Sequence, residues 1–485
     1  MTPASQLAVQ LDAAIAKGPA PAAGRCIEAR YEGVLELEAH YRRPGEKVPY
    51  HSRQRFLADG RGIVRMDWTT WLEGDSAGAP ESWIVSGATL LYRAAPGASW
   101  RAVAADHREQ ALAQVTAGLP WEVARALRAA ATAPGARVSG GGPSGTWNLA
   151  DARPGGGSIS LRPVDASLIS WMTTRPHPRL GDVRDGVLYV YNEPGAIPTE
   201  LRQIVHERDM QWAMTERRVS FRTDCPEESL LAVPASFEPA APADTMRAEP
   251  KLVAIAPGLW SVDMEDLDTR SMIVEFKDKL AVLEAAVGSD NGERIVDAAK
   301  RQFPSKPIRY FLFSHYHPHY AGGVRAFVAE GATIVTTPGC EHFVKQEAER
   351  AFTLRPDRLA RAKRKLSFQT FAKRFEVADS TNRLVAVNIG PRSDHTAEFV
   401  TFWFPRQRVV FEAEQGWVTV DGKTRASRRA ERFLKTLDEE GLAADSLVQS
   451  WPMRGNLAVL TRAELDSLVT LRGRTIPQAT AGVKP

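Results

Sequence analysis

The sequence predicts two domains, a β-rich N-terminal domain at residues 1–225 and an α/β layered domain at residues 251–485. Three observations support this division. With 485 residues, the chain is too long for a single hydrophobic core of ordinary size. Strand patterns dominate the first half, whereas in the second half short strands come first and then alternate with helices. Residues 226–250 are rich in Pro, Ala and Glu and follow neither the two-residue period of a strand nor the 3.6-residue period of a helix, which is typical of an interdomain linker.

The N-terminal domain is predicted from alternating patterns. Leu35 and Leu37 against Glu36 and Glu38 show the two-residue period of a strand with one buried face. Comparable patterns predict strands at 33–41, 54–71, 82–93, 158–161, 186–191 and 218–222, and helices at 108–117, 121–131 and 197–206. Most of the tryptophans lie in this half, where we expect them to fill the core. A hydrophobic cradle for a ligand is the alternative that the pattern leaves open.

The C-terminal domain is predicted from short apolar runs that end at turn residues. Four successive strands are predicted at 252–255, 260–263, 271–276 and 280–284, followed by a helix at 291–302. A buried strand at 308–313 then precedes a helix at 322–330, a strand at 333–336 and a helix at 341–351. Strands at 385–389, 399–404 and 409–411 and helices at 427–440 and 463–472 follow. Such an order predicts a layered domain with its helices outside.

Composition and charge exclude several classes of protein. Hydrophobic residues make up 44% of the chain and charged residues 25%, as in a soluble globular protein. The net charge of +4 is small for this length and no basic stripe occurs, which argues against a nucleic-acid binder. No stretch reaches the ~18 apolar residues that span a bilayer, and the N-terminus lacks the pattern of a signal peptide. We therefore expect a cytoplasmic protein that acts on a small molecule.

The cysteines and the glycine-rich segment give little indication of function. Cys26, Cys225 and Cys340 are far apart in the sequence and show no CxxC spacing. We expect them to be reduced, and buried or incidental, because they cannot form a disulfide framework. Residues 139–145 lack the GK[ST] ending of a phosphate-binding loop, and we interpret them as a turn. The oligomeric state is not predicted.

A group of histidines gives the strongest indication of function. The strand predicted at 308–313 is followed by Ser-His-Tyr-His-Pro-His-Tyr-Ala-Gly-Gly, in which three histidines stand at alternate positions. In an extended backbone, residues two apart point to the same side, so His315 and His317 converge on one point. Imidazole is the commonest neutral ligand for zinc and related metals. The pair therefore predicts one half of a metal site.

Distant segments supply the remaining candidate ligands. His395 lies at another junction between a strand and a loop, and Glu412 and Glu414 follow the apolar run at 409–411. Strand ends can fix such donors on a rigid scaffold. The two glutamates are two residues apart, so their spacing does not choose between them. Asp394 is either a carboxylate that orients His395 or a turn residue.

These motifs resemble those of the metallo-β-lactamase fold superfamily of metal-dependent hydrolases, from about residue 252 to the C-terminus. That family carries HxHxDHxGG after a buried strand, then a distant His, an Asp at the end of an apolar strand, and a C-terminal His. The chain matches this pattern at His315, His317, Gly322, Gly323 and His395, and Glu414 takes the position of the bridging Asp. The resemblance implies an αββα sandwich for this domain. Residues 1–245 resemble the lipoprotein-carrier-like domain that precedes this fold in some members.

The departures from the family concern its second metal site. His319 stands where the family has Asp, Tyr320 where it has His, and Arg454 where it has the C-terminal His. The second site is therefore degenerate. The resemblance implies one zinc ion on the three matching histidines and the bridging acid, with iron or two ions as alternatives.

The resemblance further implies a hydrolase. Three imidazoles leave one position open on zinc, and the pKa of a water bound there falls to about 7. We expect a metal-bound hydroxide to attack an ester, lactone, thioester or amide-like bond. Tyr320 either donates a proton or fills space. His319 is a fourth ligand, a proton shuttle or an outward-facing residue. Arg454 either binds an anion or pairs with Glu414. A non-catalytic binding protein and a biosynthetic cyclase or lyase are the alternatives.

Overall fold

A computed structural model describes most of the chain. The described residues are 1–21, 25–37, 43–44, 46, 48–59, 62–104, 108–150, 156–193, 197–207, 210–225, 228–240, 248–421 and 427–472. Among the predicted segments, residues 38–41 of the first strand, residues 60–61 of the segment predicted at 54–71, and residues 226–227 and 241–247 of the linker lie outside the described residues.

A thirteen-stranded antiparallel sheet forms the N-terminal half. Its strands are β1 Cys26–Leu37, β2 Val48–Ala58, β3 Ile63–Leu72, β4 Glu81–Ser86, β5 Thr89–Arg93, β6 Arg101–Ala102, β7 Arg137–Gly140, β8 Thr146–Ala150, β9 Gly157–Leu161, β10 Leu168–His177, β11 Gly181–Val190, β12 Glu200–Glu207 and β13 Met210–Cys225. Their order across the sheet is β6-β5-β4-β3-β2-β1-β13-β12-β11-β10-β9-β8-β7. The first strand therefore pairs with the last one.

Three helices pack on this sheet, α1 Pro3–Ile15, α2 Arg108–Thr116 and α3 Pro120–Thr132. Apolar residues of α1 and α3, such as Leu11 and Leu127, share one buried cluster with Phe56 of β2. Trp121 and Trp147 are buried in the same cluster as expected, whereas Trp68 and Trp83 are only partly buried against it. The likeness of this half to lipoprotein carriers stays a prediction.

Two sequence predictions in this half are wrong. The sequence predicts a helix at 197–206, but residues 200–207 form β12, because the position between β11 and β13 offers backbone hydrogen bonds on both sides. The sequence also predicts unpaired cysteines, but Cys26 and Cys225 form a disulfide. The register of β1 and β13 places these two residues opposite each other. Cys340 is free and buried, as expected.

Two mixed sheets form the C-terminal half. The first contains, in spatial order, β14 Lys251–Ala256, β15 Leu259–Met264, β16 Thr269–Glu275, β17 Leu280–Leu283, β18 Ile308–Leu312, β19 Thr333–Thr336 and β20 Ser367–Thr370. The second contains β21 Arg374–Ala378, β22 Arg383–Asn388, β23 Val400–Phe404, β24 Val409–Glu412, β25 Ser446–Gln449 and β26 Val459–Thr461. The helices are α4 Ser289–Gln302, α5 Pro318–Ala321, α6 Val324–Glu330, α7 Glu341–Glu349, α8 Arg358–Ala362, α9 Arg428–Glu439 and α10 Arg462–Arg472.

The two sheets pack face to face, with helices on their outer sides. Leu312 and Phe411 are buried in the cluster between the sheets, whereas their neighbours Phe311 and Val410 belong to the cluster that contains the helices. This alternation follows from the two-residue period of a strand. The predicted αββα sandwich after a β-rich half is thereby confirmed. Across the described ranges, no helix is long and apolar enough to cross a membrane.

Part of the predicted linker packs against the N-terminal sheet. Leu231 is buried beside the disulfide. The Glu238 N–H donates to the Trp100 carbonyl at 2.8 Å, and the Ala102 N–H donates to the Glu238 carbonyl at 2.9 Å. The domain boundaries at 225 and 251 stay a prediction.

Candidate metal centre

His315 and His317 lie in the segment that leaves the carboxyl end of β18. The Val400 N–H donates to the Ser314 carbonyl at 2.7 Å, which ties this segment to β23 in the second sheet. Helix α5 begins directly after His317. Both histidines are buried, with 0% and 2% of their surface exposed. The segment is therefore held on both sides of the histidine pair.

His395 and Glu414 come from the second sheet. Strands β22 and β24 run in the same direction on either side of β23, so their carboxyl ends lie at one edge. His395 follows the 3-10 helix Gly390–Ser393, and its N–H donates to the Ser393 hydroxyl at 3.2 Å. Glu414 stands two residues beyond β24 with a φ of 44°. This edge therefore brings a third imidazole and a carboxylate towards the histidine pair.

Four donor atoms converge at this edge. His317 Nδ1 lies 3.1 Å from His315 Nε2 and 3.3 Å from His395 Nε2. Glu414 Oε1 lies 2.6 Å from His395 Nε2 and 3.3 Å from His315 Nε2. All four atoms are within 4.8 Å of one another. A tetrahedral ion with bonds of about 2.0–2.1 Å separates its ligand atoms by about 3.4 Å, so these residues fit a zinc ion.

The charges at the site also suit a metal. Burial lowers the pKa of His315 to about 4, against the opposing effect of Glu414, so the ring is neutral at pH 7 and keeps a lone pair. Burial favours a higher pKa for Glu414, but its contacts with His315 and His395 outweigh burial and hold the pKa below its ordinary value. Neutral imidazoles and an ionised carboxylate are the forms that bind metals.

Three neighbours fix the orientation of the His315 ring. Ser314 Oγ lies 3.0 Å from His315 Nδ1, and the Phe399 ring stacks on the imidazole at 4.8 Å. The Tyr320 ring lies 4.4 Å from it on a tilted plane. Burial raises the pKa of Tyr320 well above its ordinary value, and within the described part of the chain its hydroxyl has no hydrogen-bond partner. Tyr320 therefore fills space behind His315 and keeps its proton.

The structure does not bring His319 and Arg454 to the four donors. The His319 ring lies 5.7 Å from the Trp451 ring and is not among the converging residues. Arg454 is exposed, and its guanidinium donates to the Glu265 carbonyl at 3.1 Å. Of the two roles that the sequence leaves open for Arg454, pairing with Glu414 is therefore wrong, because the loop after β25 directs the guanidinium elsewhere, whereas binding an anion stays a prediction.

The other candidate carboxylates have different partners. Glu412 accepts the Gln415 N–H at 2.6 Å and does not join the converging atoms, so the structure selects Glu414. Asp394 accepts a hydrogen bond from Arg432 of α9 at 3.1 Å. Asp394 therefore holds helix α9 and does not orient His395.

Sequence reasoning missed Arg429 at the site. Its Nη2 lies 3.3 Å from His395 Nδ1, and its Nη1 donates to the Glu414 carbonyl at 3.2 Å. Arg429 stands in the first turn of α9, where its sequence context is that of any basic surface residue. The sequence predicts a cation at this site from Arg454, but the structure supplies it from a helix.

Comparisons with known proteins add little to this geometry. No protein-family model matches the chain, and no curated protein matches its sequence. The chain is similar to the solved metallo-β-lactamase from Pontibacter korlensis at 16% identity, over 46% of this chain and 99% of that one, with a TM-score of 0.33. It is also similar to the metallo-β-lactamase FIM-1 from Pseudomonas aeruginosa in its mono-zinc form, at 16% identity over 48% and 98%, with a TM-score of 0.34. With TM-scores below 0.5, these similarities carry no argument about this chain, and the metal site rests on its own residues.

Proposed function

We propose that the C-terminal half is a mononuclear zinc-dependent hydrolase in which His315, His317 and His395 bind the ion beside Glu414. The observation that supports this proposal is the convergence of the four donor atoms within 4.8 Å. Three imidazoles with one carboxylate suit zinc, and iron is compatible with the same ligands. The substrate is a small molecule with an ester, lactone, thioester or amide-like bond.

The residues of the site suit hydrolysis in complementary ways. A zinc ion, when bound, supplies a Lewis acid and lowers the pKa of a coordinated water. Glu414 presents an ionised Oε1 at 2.6 Å from His395 Nε2, where it accepts a hydrogen bond from the attacking water and orients it. Arg429 contacts His395 Nδ1 and donates to the Glu414 carbonyl, so it holds both residues in place. Tyr320 keeps water away from the rear of His315.

A non-catalytic metal protein is the second candidate. Glu414 Oε1 is close enough to His315 and His395 to serve as a fourth ligand. Four protein ligands close a zinc site, whereas catalytic sites keep one position open for water or substrate. Bound zinc without turnover of any ester, lactone, thioester or amide favours this candidate. A cyclase or lyase uses the same residues and is recognised by products formed without addition of water.

Metal analysis tests the proposal directly. We expect one zinc ion per chain in the parent protein purified without added zinc, and none in His395→Ala. His342→Ala is the matched control, because His342 is exposed on α7 and lies outside the cluster. A parent protein that binds no metal contradicts the proposal. Hydrolysis of a substrate panel that is lost in His395→Ala and kept in His342→Ala supports the enzyme over the binding protein.

The location of the protein is a separate question. The cytoplasmic location stays a prediction, and the Cys26–Cys225 disulfide argues against it, because structural disulfides persist mainly in oxidising compartments. The absence of nucleic-acid partners also stays a prediction.

A further inference from the structure

The hairpin of β10 and β11 contacts the C-terminal half through one side of its turn. The Asp182 N–H donates to the Ala351 carbonyl at 2.6 Å. The Asp182 carboxylate accepts the N–H and Oγ1 of Thr353 at 2.8 and 2.6 Å and the Leu354 N–H at 3.0 Å. Gly181 approaches the same segment so closely that a Cβ there would lie 2.1 Å from the Ala351 carbonyl oxygen. The hairpin is thus joined to the chain between α7 and α8.

The other side of the same turn contacts the start of α4. The Ser289 N–H donates to the Pro178 carbonyl at 3.1 Å. Arg179 forms an ion pair at 3.5 Å with Glu347, a residue of α7 that is fully buried. Leu180, at the end of the turn, is buried as well. The turn therefore fixes residues 288–289 relative to α7.

The segment that the turn contacts, residues 285–289, is hydrogen-bonded to residues 317–323, which include helix α5 and are called the metal-binding loop below. The Val287 N–H donates to the Pro318 carbonyl at 2.8 Å, and the Ala285 N–H donates to the Tyr320 carbonyl at 2.8 Å. The Gly323 N–H donates to the Ala285 carbonyl at 3.0 Å. Pro318 follows the second histidine of the candidate metal centre directly. Segment 285–289 therefore has the hairpin on one side and the metal-binding loop, residues 317–323, on the other.

We propose that the β10–β11 hairpin is a positioning element of the metal centre. It holds segment 285–289 against the metal-binding loop and so fixes the direction of His317. Metal ligands bind tightly only when neighbouring groups hold their geometry, and loss of such support costs about 10–100-fold in metal affinity. The N-terminal sheet thus has a defined role at a site whose four converging donors come from the C-terminal half. The inference rests on the proposed function for its metal readout, whereas its structural readout is independent of metal.

Gly181 and Gly135 give a matched pair of variants. Both glycines have positive φ values, 75° and 83°, so alanine introduces comparable backbone strain at either position. Only at Gly181 does the added Cβ meet the C-terminal half, because at Gly135 nothing lies within 4 Å. We expect Gly181→Ala to weaken zinc binding about tenfold in competition with a chelator, and Gly135→Ala to leave it unchanged.

Two further readouts separate positioning from general destabilisation. In metal-free protein, we expect amide hydrogen exchange in residues 285–289 and 317–323 to be faster in Gly181→Ala than in Gly135→Ala. In Co²⁺-loaded protein, we expect the ligand-field bands to shift in Gly181→Ala alone. If Gly181→Ala does not fold, Asp182→Asn replaces it, with Asp185→Asn as control, since Asp185 pairs at 2.7 Å with Arg175 of the same hairpin.

The outcomes decide the proposal in each case. Equal zinc affinity and equal exchange in the variant and its control overturn it. A parent protein that binds no zinc contradicts the proposed function, and the exchange comparison then still decides the role of the hairpin. Faster exchange confined to the hairpin itself, with the metal-binding loop unchanged, also overturns the proposal.

Discussion

Glu284 makes the stability of the fold depend on pH. It follows β17, is 1% exposed, and neither of its carboxylate oxygens has a hydrogen-bond partner in the described ranges. Burial raises the pKa of Glu284 from 4.5 to about 8. Ser314 and Ser450 lie close enough to oppose this rise, but neither meets the geometry of a hydrogen bond to the carboxylate. The folded protein therefore holds Glu284 protonated at neutral pH.

The direction of the pH effect follows from the difference between the pKa of Glu284 in the folded protein and in the unfolded chain. In the unfolded chain the same carboxyl ionises near pH 4.5, so the folded state binds the proton more tightly. The stability that Glu284 contributes is fully present below that pH and is lost as the pH rises through about 8. The loss is about 2 kcal/mol at pH 6 and reaches roughly 4–5 kcal/mol above pH 8. Glutamine has the same shape and cannot ionise, so Glu284→Gln removes the loss.

Urea unfolding of chelator-treated protein at several pH values between 5 and 9 measures this effect. We expect Glu284→Gln to match the parent within about 1 kcal/mol at pH 5 and to exceed its free energy of unfolding by several kcal/mol at pH 9. Glu73→Gln, at an exposed turn after β3, is the control and follows the parent at every pH. A difference between Glu284→Gln and the parent that does not change with pH refutes the reasoning, because the carboxyl would then not be held protonated by burial.

Two further predictions concern the disulfide and the missed arginine. Thiol titration of denatured, unreduced protein should find one thiol, that of Cys340, and finding three contradicts the disulfide. Replacing Cys26 and Cys225 together by serine should lower the free energy of unfolding by up to about 5 kcal/mol, since the bond closes a loop with a sequence separation of 199. Arg429→Gln should bind zinc about fivefold more tightly, because His395 bound through Nε2 keeps a proton on Nδ1 and a nearby guanidinium then costs roughly 1 kcal/mol. Weaker binding, measured by competition with a chelator, contradicts this account of Arg429.

The sequence predicts the C-terminal fold well because its central strands, such as β17 and β24, are buried on both sides. Runs such as 308–313 and 409–411 contain few polar residues, so they fit the core of a layered domain. Strand β25, at Ser446–Gln449, is similarly buried but is not predicted, and its length of four residues does not distinguish it from β17, β19 and β24, which are predicted. In the N-terminal half, residues 197–206 fit a helical period. Residues 200–207 form strand β12 because they lie between two strands and pair with both.

At the site, the sequence identifies the donors that follow buried strands and misses the group that comes from a helix. His315 and His317 are two residues apart in the sequence, His395 lies in the short loop after the strand at 385–389, and Glu414 follows an apolar run, so local pattern marks all four. Arg429 reaches the site only through the packing of α9 on the second sheet. The disulfide is likewise not marked by local sequence, since its cysteines meet only because the sheet places the first strand beside the last.

The arrangement of the substituted residues favours one ion over two. A second ion beside the four donors needs further ligands, and among the described residues none of Tyr320, His319 and Arg454 joins the converging group. Tyr320 packs its ring on His315 with a protonated hydroxyl, and the His319 ring lies against Trp451. Arg429 adds a permanent positive charge within 3.3 Å of His395, which opposes another cation. Since Arg429 and not Arg454 supplies the positive charge beside His395, we expect Arg454→His to bind no second metal ion, measured as metal content per chain.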